Sequence, residues 1–261
     1  MNRIACFGGI YSNCLALDVA LQDARRRGVD EIICLGDFGA FGPHPNRSLD
    51  LLREHNITCI QGNYDHSIGN ELDDCQCGYT DPRDNHFAQI SYDYTLSGTS
   101  LEHRRWMREL PQQLRRKLGP LSLLICHGSP RQTNEFLWES TTPTHFLDKL
   151  ARDYQTYVIL YTHTGIRWQR ELTGGRHAVN VGVLGRPEND GQTNVWYTIL
   201  SYSRDVGLQV EFIPIAYDFR SLADQMDDEG LPAEFGETIR TGWWTTCLEI
   251  LPAKERRRGW Y

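Results

Sequence analysis

The sequence has neither a long apolar run nor an excess of positive charge, and both absences narrow the class of protein. Its 261 residues carry 34 acidic and 27 basic side chains, a formal net charge of −7. This balance argues against nucleic acid or an anionic membrane as the main partner. No apolar run is long enough to cross a membrane, and the start MNRIACFGG lacks the apolar stretch of a secretory signal. We therefore expect a cytoplasmic protein.

The eight cysteines follow no spacing that is typical of a disulfide framework or a zinc site. Several lie in apolar runs such as EIICLGD and LLICHG, where a free thiol packs like a small apolar side chain. Cys75 and Cys77, in DDCQCG, are close in sequence, but a single intervening residue is not the CxxC of zinc or redox motifs. We expect this spacing to be coincidental and the cysteines to be reduced.

Short β-type runs alternate with helical runs along the chain. The predicted strands are RIACF, EIICLG, ITCIQG, LSLLICHG, YVILYT, HAVNVG, NVWYTILSY and LQVEFIPI. The predicted helices cover residues 14–27, 45–55, 100–109, 143–153 and 217–229. Up to residue 163 the alternating order predicts a largely parallel sheet. Beyond it strand follows strand, which predicts a second sheet packed on the first.

Two further features complete this outline. Thr99 and Glu102, in TSLE, have the spacing of a capping box, which predicts the start of a helix. The β-rich pattern ends near residue 214, and a helical pattern follows. We therefore predict one α/β domain over residues 1–214 and a helical C-terminal appendage, residues 215–261, that packs on the same domain.

Four predicted strands end at side chains that can bind a metal ion, in most cases beside a glycine. These side chains are Asp37, Asn63, His127 and His163. Because the carboxyl ends of parallel strands meet at one edge of a sheet, we expect the four to converge. A carboxylate, an amide oxygen and two imidazoles suit Mn, Fe or Zn. The sequence therefore predicts a metal site at this edge.

Five segments in this order, GDFGAFGPHP, GNYD, CHGSP, THT and VNVGVLGRP, resemble successive blocks of the calcineurin-like metallophosphoesterases, in particular of the bacterial phosphodiesterase-type branch. The resemblance runs from residue 2 to about residue 212. It implies a four-layer α/β/β/α sandwich of the metallophosphoesterase type over residues 1–214. It also implies a site in which two metal ions hold a phosphate between them.

The sequence departs from the family pattern at the ligands of the first metal ion. Where the family has Asp-x-His after its first strand, this chain has Gly9 and Tyr11. The family also has a Gly-His-x-His block, which the THT segment resembles. If residues 162–165 are aligned with this block, Gly165 stands in place of its second His. The register one residue earlier, residues 161–164, would lose both histidines. We prefer the first register, which keeps the His-Thr pair.

The ligands that the resemblance implies for the second metal ion are all present. They are Asp37, Asn63, His127 and His163. Of the ligands implied for the first ion, only the bridging Asp37 remains. Random decay would have struck both sets, so this one-sided loss predicts a single transition metal ion per chain, Mn, Fe or Zn.

Further residues near the predicted site are candidates for catalysis or binding. For Tyr11 three roles are open: packing over the vacated position, hydrogen bonding to a ligand, or binding the metal as a phenolate. The family often has a His after Gly-Asn as general acid; Tyr64 stands there, and His66 is either its replacement or an unrelated loop residue. Arg131 and Arg167 are candidate substrate-binding residues, because a planar guanidinium binds two phosphate oxygens at once.

These features predict a metal-dependent hydrolase with an atypical single-metal site that acts on a small-molecule phosphoester or a specialised substrate. Two alternatives stay open. One is a catalytically silent relative that binds a phosphorylated ligand or protein partner, and the other is non-phosphoester chemistry at a single iron. Neither a nucleic acid nor a membrane is expected as the main partner. The sequence leaves the oligomeric state open, a homo-oligomer included.

Overall fold

The computed structural model describes residues 2–257, which form ten strands and nine α-helices within that range. The strands are β1 Arg3–Phe7, β2 Glu31–Cys34, β3 Thr58–Cys59, β4 Gln113–Leu118, β5 Leu121–Cys126, β6 Val158–Tyr161, β7 Trp168–Glu171, β8 His177–Asn180, β9 Val195–Ser203 and β10 Gly207–Ile215. The helices are α1 Cys14–Arg26, α2 Pro45–Glu54, α3 Asn63–Asn70, α4 Pro82–Gly98, α5 Leu101–Glu109, α6 Thr144–Asp153, α7 Phe219–Asp228, α8 Ala233–Thr241 and α9 Ala253–Arg256.

The strands form two five-stranded sheets, each with a parallel centre. The first has the order β10-β9-β1-β2-β3, in which β1, β2 and β3 run parallel and β9 is antiparallel to β1. The second has the order β4-β5-β6-β8-β7, in which β5, β6 and β8 run parallel and the edge strands β4 and β7 are antiparallel to their neighbours. The loops that follow the parallel strands therefore carry the residues of any site at the carboxyl edge.

Side chains alternate between two faces of each strand and so separate the core into layers. In β1, Ile4 and Cys6 join the apolar cluster between the two sheets, whereas Ala5 and Phe7 join the cluster beneath the helices. Helix α6 covers the outer face of the second sheet through Leu147 and its neighbours. The result is a four-layer α/β/β/α sandwich, as the resemblance implies.

All eight predicted strands and all five predicted helices are present, but the predicted division of the strands between the sheets is wrong. The late strands β9 and β10 do not belong to the second sheet; they return to the edge of β1 in the first. The second sheet instead starts at β4. The order of strands along a chain does not by itself specify which edge a later strand will join, because an antiparallel strand can pair with any open edge.

Four helices and two strands lie outside the predicted set. Helix α4 begins at Asp81, whose side chain accepts hydrogen bonds from the backbone N–H groups of Arg83 and Asp84. Its sequence lacks a regular apolar stripe, so periodicity does not indicate it. The predicted capping box is displaced: Ser100, not Thr99, accepts from the N–H of His103 at the start of α5.

The C-terminal helices α7 and α8 pack on the first sheet's helical layer. Leu222, Met226 and Phe235 belong to the same buried cluster as Phe7. The chain then continues across the carboxyl edge of the sheets, where Trp244 is buried. The boundary at residue 214 stays a prediction, and residues 258–261 of the predicted appendage lie outside the described residues. No helix within residues 2–257 is long and apolar enough to cross a membrane.

Candidate metal centre

Three buried side chains meet where parallel strands of the two sheets end. Asp37 follows β2, His127 follows β5, and His163 comes two residues after β6. One donor atom of each residue lies within 4.8 Å of the other two. Oδ2 of Asp37 is 3.1 Å from Nε2 of His127, which is 3.2 Å from Nδ1 of His163. The three residues form a candidate metal site. It is assembled from the carboxyl ends of both sheets, whereas the sequence predicts convergence at one edge of a single sheet.

A hydrogen bond from Nδ1 orients the ring of His127. Nδ1 donates a hydrogen bond to the carbonyl oxygen of Leu35 at 2.6 Å, so Nε2 points at Asp37. Such a backbone carbonyl commonly orients metal-binding histidines. Burial lowers the pKa of His127, but the carboxylate of Asp37 outweighs this effect and raises it. The space between these two atoms therefore favours a cation.

His163 differs from His127 because it stays neutral. Burial lowers the pKa of His163 to about 3, and the charge of His127 acts in the same direction. The pKa of Asp37 is held below its usual range because the charge and hydrogen bond of His127 outweigh the effect of burial. A neutral imidazole and an ionised carboxylate are the forms that bind a metal ion, so a metal ion here would displace the proton that His127 carries on Nε2.

Asn63, the fourth predicted ligand, has a buried amide oxygen without a partner. Its Nδ2 donates to the carbonyl oxygen of Cys75 at 2.8 Å, whereas its Oδ1 has no hydrogen-bond partner among residues 2–257. Leaving such a group unpaired costs about 1–3 kcal/mol. The preceding Gly62 lets the backbone of this loop lie close to Asp37 and His127. A Cβ at residue 62 would lie 2.3 Å from Oδ1 of Asp37 and 2.9 Å from Nδ1 of His127. The site residues therefore fit a metal ion.

Asp65 fixes the two ligand loops relative to each other. Its buried carboxylate accepts hydrogen bonds from the N–H groups of Asp37 at 2.7 Å, Phe38 at 3.0 Å and Gly62 at 2.8 Å. Burial raises the pKa of Asp65 to about 7, and the charge of Asp37 adds to this rise. The sequence analysis gave Asp65 no role, although it ends the GNYD segment.

Backbone strain is concentrated at this site. Residues other than glycine rarely adopt a positive φ, and those that do cost about 1–3 kcal/mol. Twelve such residues occur in the described chain, and six of them line a single cavity of about 50 Å³. The six are Tyr11, Asp37, Ala40, Phe41, His163 and Cys247. Strain of this kind is typical of functional sites.

A family model described as the calcineurin-like phosphoesterase superfamily domain matches residues 3–205. This match covers more than half of the chain. The chain belongs to the calcineurin-like phosphoesterase superfamily. The family resemblance of the five sequence segments is thereby confirmed.

Similar proteins with the same architecture come from archaea and bacteria. An uncharacterized protein of Methanocaldococcus jannaschii is 24% identical over 256 residues, which cover 92% of this chain and 98% of that protein. A metallophosphoesterase structure from Sphaerobacter thermophilus superimposes with a TM-score of 0.70 at 24% identity, covering 92% of this chain and 99% of that one. A hypothetical protein from Pyrococcus horikoshii gives a TM-score of 0.75 at 21% identity, with coverages of 94% and 100%. These likenesses show the fold.

Within this superfamily fold, the ring of Tyr11 lies over Gly9, the position at which the sequence resemblance implies an aspartate. A Cβ on Gly9 would lie 2.4 Å from Cε1 of Tyr11. On the other side, a Cβ on Gly185 would lie 2.3 Å from Cβ of Tyr11. Burial raises the pKa of Tyr11, and the positive charge of Arg186 only partly opposes the rise, so the phenol stays protonated.

The indole of Trp244 lies over Gly165, where the preferred register loses a histidine. Gly165 has a φ of 77°, and a Cβ there would lie 3.3 Å from two ring atoms of Trp244. The guanidinium carbon of Arg186 is 3.5 Å from the centroid of an aromatic ring of the same indole. Sequence motifs did not indicate Trp244, because it comes from the C-terminal segment outside the family match.

The remaining predicted site residues lie apart from this cavity. Arg131 is half exposed and forms an ion pair with Glu135. Arg167 forms an ion pair with the buried Glu188. His66 is half-buried on α3. None of the three is among the described residues that line the cavity, and their roles stay predictions.

Cys75 and Cys77 form a disulfide, contrary to the expectation that their spacing is coincidental. The other six cysteines are free and buried, as expected. The bonded pair borders the candidate metal centre, since Asn63 Nδ2 contacts the carbonyl of Cys75 and lies 3.4 Å from the sulfur of Cys77. The loop that carries the pair therefore orients the amide of Asn63.

Proposed function

We propose that the protein is a metal-dependent phosphoester hydrolase that works with one metal ion, held by Asp37, Asn63, His127 and His163. The observation that supports this most strongly is the convergence of donor atoms from the buried Asp37, His127 and His163. The buried Oδ1 of Asn63, next in the chain to Tyr64, whose N–H contacts Asp37, also has no partner among residues 2–257. Superfamily membership supports the reaction class. The two oxygen and two nitrogen donors suit Mn, Fe or Zn.

A metal ion held by these residues would supply Lewis-acid polarisation of a phosphoryl oxygen and would lower the pKa of an attacking water. The chain itself orients the donors. Leu35 fixes the tautomer of His127, and the N–H of Tyr64 holds Oδ1 of Asp37 at 3.1 Å. Asp65 ties the loops of Asp37 and Asn63 together. Little reorganisation is therefore needed when substrate binds.

The neighbouring position supports a single-ion site. We infer that Tyr11 and Trp244 occupy the space in which the resemblance implies a second ion, since both rings lie against the glycines that replace ligands. Without a second cation to neutralise charge, hydrolysis of simple phosphate esters is slow. The natural substrate is a phosphoester, or a specialised substrate, that the remaining cavity residues help to bind.

Metal analysis combined with turnover of an aryl phosphate ester tests this proposal. Protein purified without added metal should carry one transition metal ion per chain and turn over the ester well below about 10 per second. Chelation should abolish the turnover, and readdition of Mn, Fe or Zn should restore it. Metal-bound protein without any such turnover would favour the silent, ligand-binding alternative, and metal-free inert protein would contradict the proposal.

A further inference from the structure

Arg186 is a buried arginine that forms no ion pair with any described residue. Its side chain is only 7% exposed, and its Nε has no hydrogen-bond partner within residues 2–257. Burying an unpaired charge is among the most expensive arrangements in a protein. Arg167, outside the cavity lining, is different because it is ion-paired with Glu188. Arg186 is therefore in position for a partner from outside the chain.

Three aromatic rings lie close to the Arg186 guanidinium. Its central carbon lies 3.5 Å from a ring centroid of Trp244 and 5.8 Å from those of Tyr11 and Phe41. Stacking of this kind is favourable for a guanidinium and leaves its N–H edge available. The edge is the part that binds two oxygens of one anion.

Arg186 is also held on a rigid loop. The N–H groups of Leu184 and Gly185 both donate to the carbonyl oxygen of Gly9 at 2.9 Å. On the other side, Trp244 Nε1 donates to the carbonyl oxygen of Pro187 at 2.7 Å. The indole is thus fixed over the guanidinium, and the arginine needs little ordering when a ligand binds.

Arg186 lines the same cavity as Asp37 and His163. Asp37 is the acidic residue among the described lining residues, and His127 already engages its carboxylate at 3.1 Å. A metal ion at the candidate centre would add more positive charge. The electrostatics of the cavity therefore favour an anion that contacts both Arg186 and the metal centre.

We propose that Arg186 is the substrate-binding residue that grips the phosphoryl group, with two N–H groups directed to two phosphoryl oxygens. This inference rests on the proposed function, in which the metal ion contacts the same phosphoryl group. Charge-assisted, bidentate hydrogen bonds are the strongest that a guanidinium makes. Arg186 thereby supplies positive charge on the side of the cavity where Tyr11 and Trp244 leave no room for a second ion.

Calorimetric titration with inorganic phosphate tests this role in the full chain loaded with Mn. Wild type should bind phosphate, Arg186→Met should bind it on the order of 10- to 100-fold more weakly, and Arg186→Lys should fall between them. Arg116→Met is the matched control. Arg116 lies on the edge strand β4, is ion-paired with Glu31, and is outside the cavity lining. Its phosphate affinity should equal that of wild type.

Metal content measured on the same samples separates the two proposals. Normal metal content with weakened phosphate binding in Arg186→Met supports the role of Arg186. Unchanged phosphate affinity in that variant, or no phosphate binding by wild type, overturns it. Metal-free wild type would instead overturn the single-metal function, while the affinity ratio, repeated after chelation, would still report on Arg186.

A readout in the wild type avoids dependence on the folding of Arg186→Met. Phosphate binding at Arg186 should change the fluorescence of Trp244, which stacks on the guanidinium. The change should be lost in Trp244→Phe. A wild-type signal that persists in Trp244→Phe, or no signal at saturating phosphate, would contradict binding at Arg186.

Discussion

The two halves of the candidate site use their buried space in opposite ways. In one half, Asp37, His127 and His163 turn donor atoms toward one another, and the oxygen of Asn63 has no hydrogen-bond partner among residues 2–257. In the other half, the rings of Tyr11 and Trp244 pack closely against two glycines. We infer that the first half can receive a cation and that packing closes the second half to one.

We infer from this difference that the second half departs by more than lost ligands from the two-metal site that the resemblance implies. A carboxylate side chain at residue 9 would collide with the ring of Tyr11, and a side chain at residue 165 would contact Trp244 from a backbone with positive φ. Residue 9 is therefore coupled to Tyr11, and residue 165 to Trp244. We infer that the second half has become an aromatic and cationic wall, with Arg186 between Tyr11 and Trp244.

We expect the largest effect on metal content and turnover when the half of the site that contains Asp37, His127 and His163 loses one donor atom. In His127→Ala we expect metal content to fall and turnover of an aryl phosphate ester to drop by about 100-fold or more, because metal-assisted catalysis depends on the intact donor set. His145→Ala, an exposed histidine on α6, is the control and should match wild type. Full metal content and turnover in His127→Ala would remove it from the site.

Rebuilding the second half tests the packing argument. The sequence alone suggests that Gly9→Asp, Tyr11→His and Gly165→His together restore a second metal ion. The structure predicts that this triple variant binds no second ion and is destabilised, because residue 165 meets Trp244 in a strained conformation. Adding Trp244→Ala removes that obstacle, at a cost of about 3–5 kcal/mol in unfolding free energy. A second ion in the triple variant alone, seen by elemental analysis, would contradict the packing argument.

Two substitutions of Tyr11 distinguish a space-filling role of its ring from a chemical role of its hydroxyl. If the ring only fills the space between Gly9 and Gly185, Tyr11→Phe should leave turnover unchanged, and Tyr11→Ala should lower the unfolding free energy by about 3 kcal/mol. Loss of about 100-fold in turnover of the natural substrate by Tyr11→Phe, at unchanged metal content, would instead identify a positioned proton donor. Denaturant unfolding and steady-state rates measure both.

Removal of the Cys75–Cys77 disulfide should have the smallest effect on stability among these substitutions. The disulfide closes a loop of only three residues, so its contribution to the free energy of unfolding through chain entropy is small. In the double variant Cys75→Ser, Cys77→Ser we expect the free energy of unfolding to fall by about 1.5 kcal/mol. Metal affinity is the more informative readout, since this loop orients the amide of Asn63. Loss of stability as large as that of Tyr11→Ala would show that the loop is a major structural element.

Local sequence signals indicated Asp37, His127 and His163 because each lies within three residues of the end of a parallel strand. The strand pattern did not reveal that Asp37 follows a strand of the first sheet and His127 a strand of the second, so it placed both at one sheet edge. The wall could not be predicted in this way. Trp244 comes from a segment far along the chain, and its contact with Arg186 depends on how α7 and α8 pack.

The same limit applies to the fold. Strongly apolar strands such as β5 and β6 were evident, whereas α4, which lacks a regular apolar stripe, was not. The return of β9 to β1 depends on which sheet edge is open once the chain has collapsed. Periodicity reports the burial of a segment but not the identity of its neighbour.

The number and position of bound metal ions show whether the site holds a single ion. Elemental analysis, combined with anomalous scattering from crystals of protein purified without added metal, measures both. We predict one ion per chain, contacted by Asp37, Asn63, His127 and His163, with the indole of Trp244 still over Gly165. Two fully occupied peaks about 3.5–4 Å apart, or one ion that lacks His127 or His163 as ligand, would contradict the account.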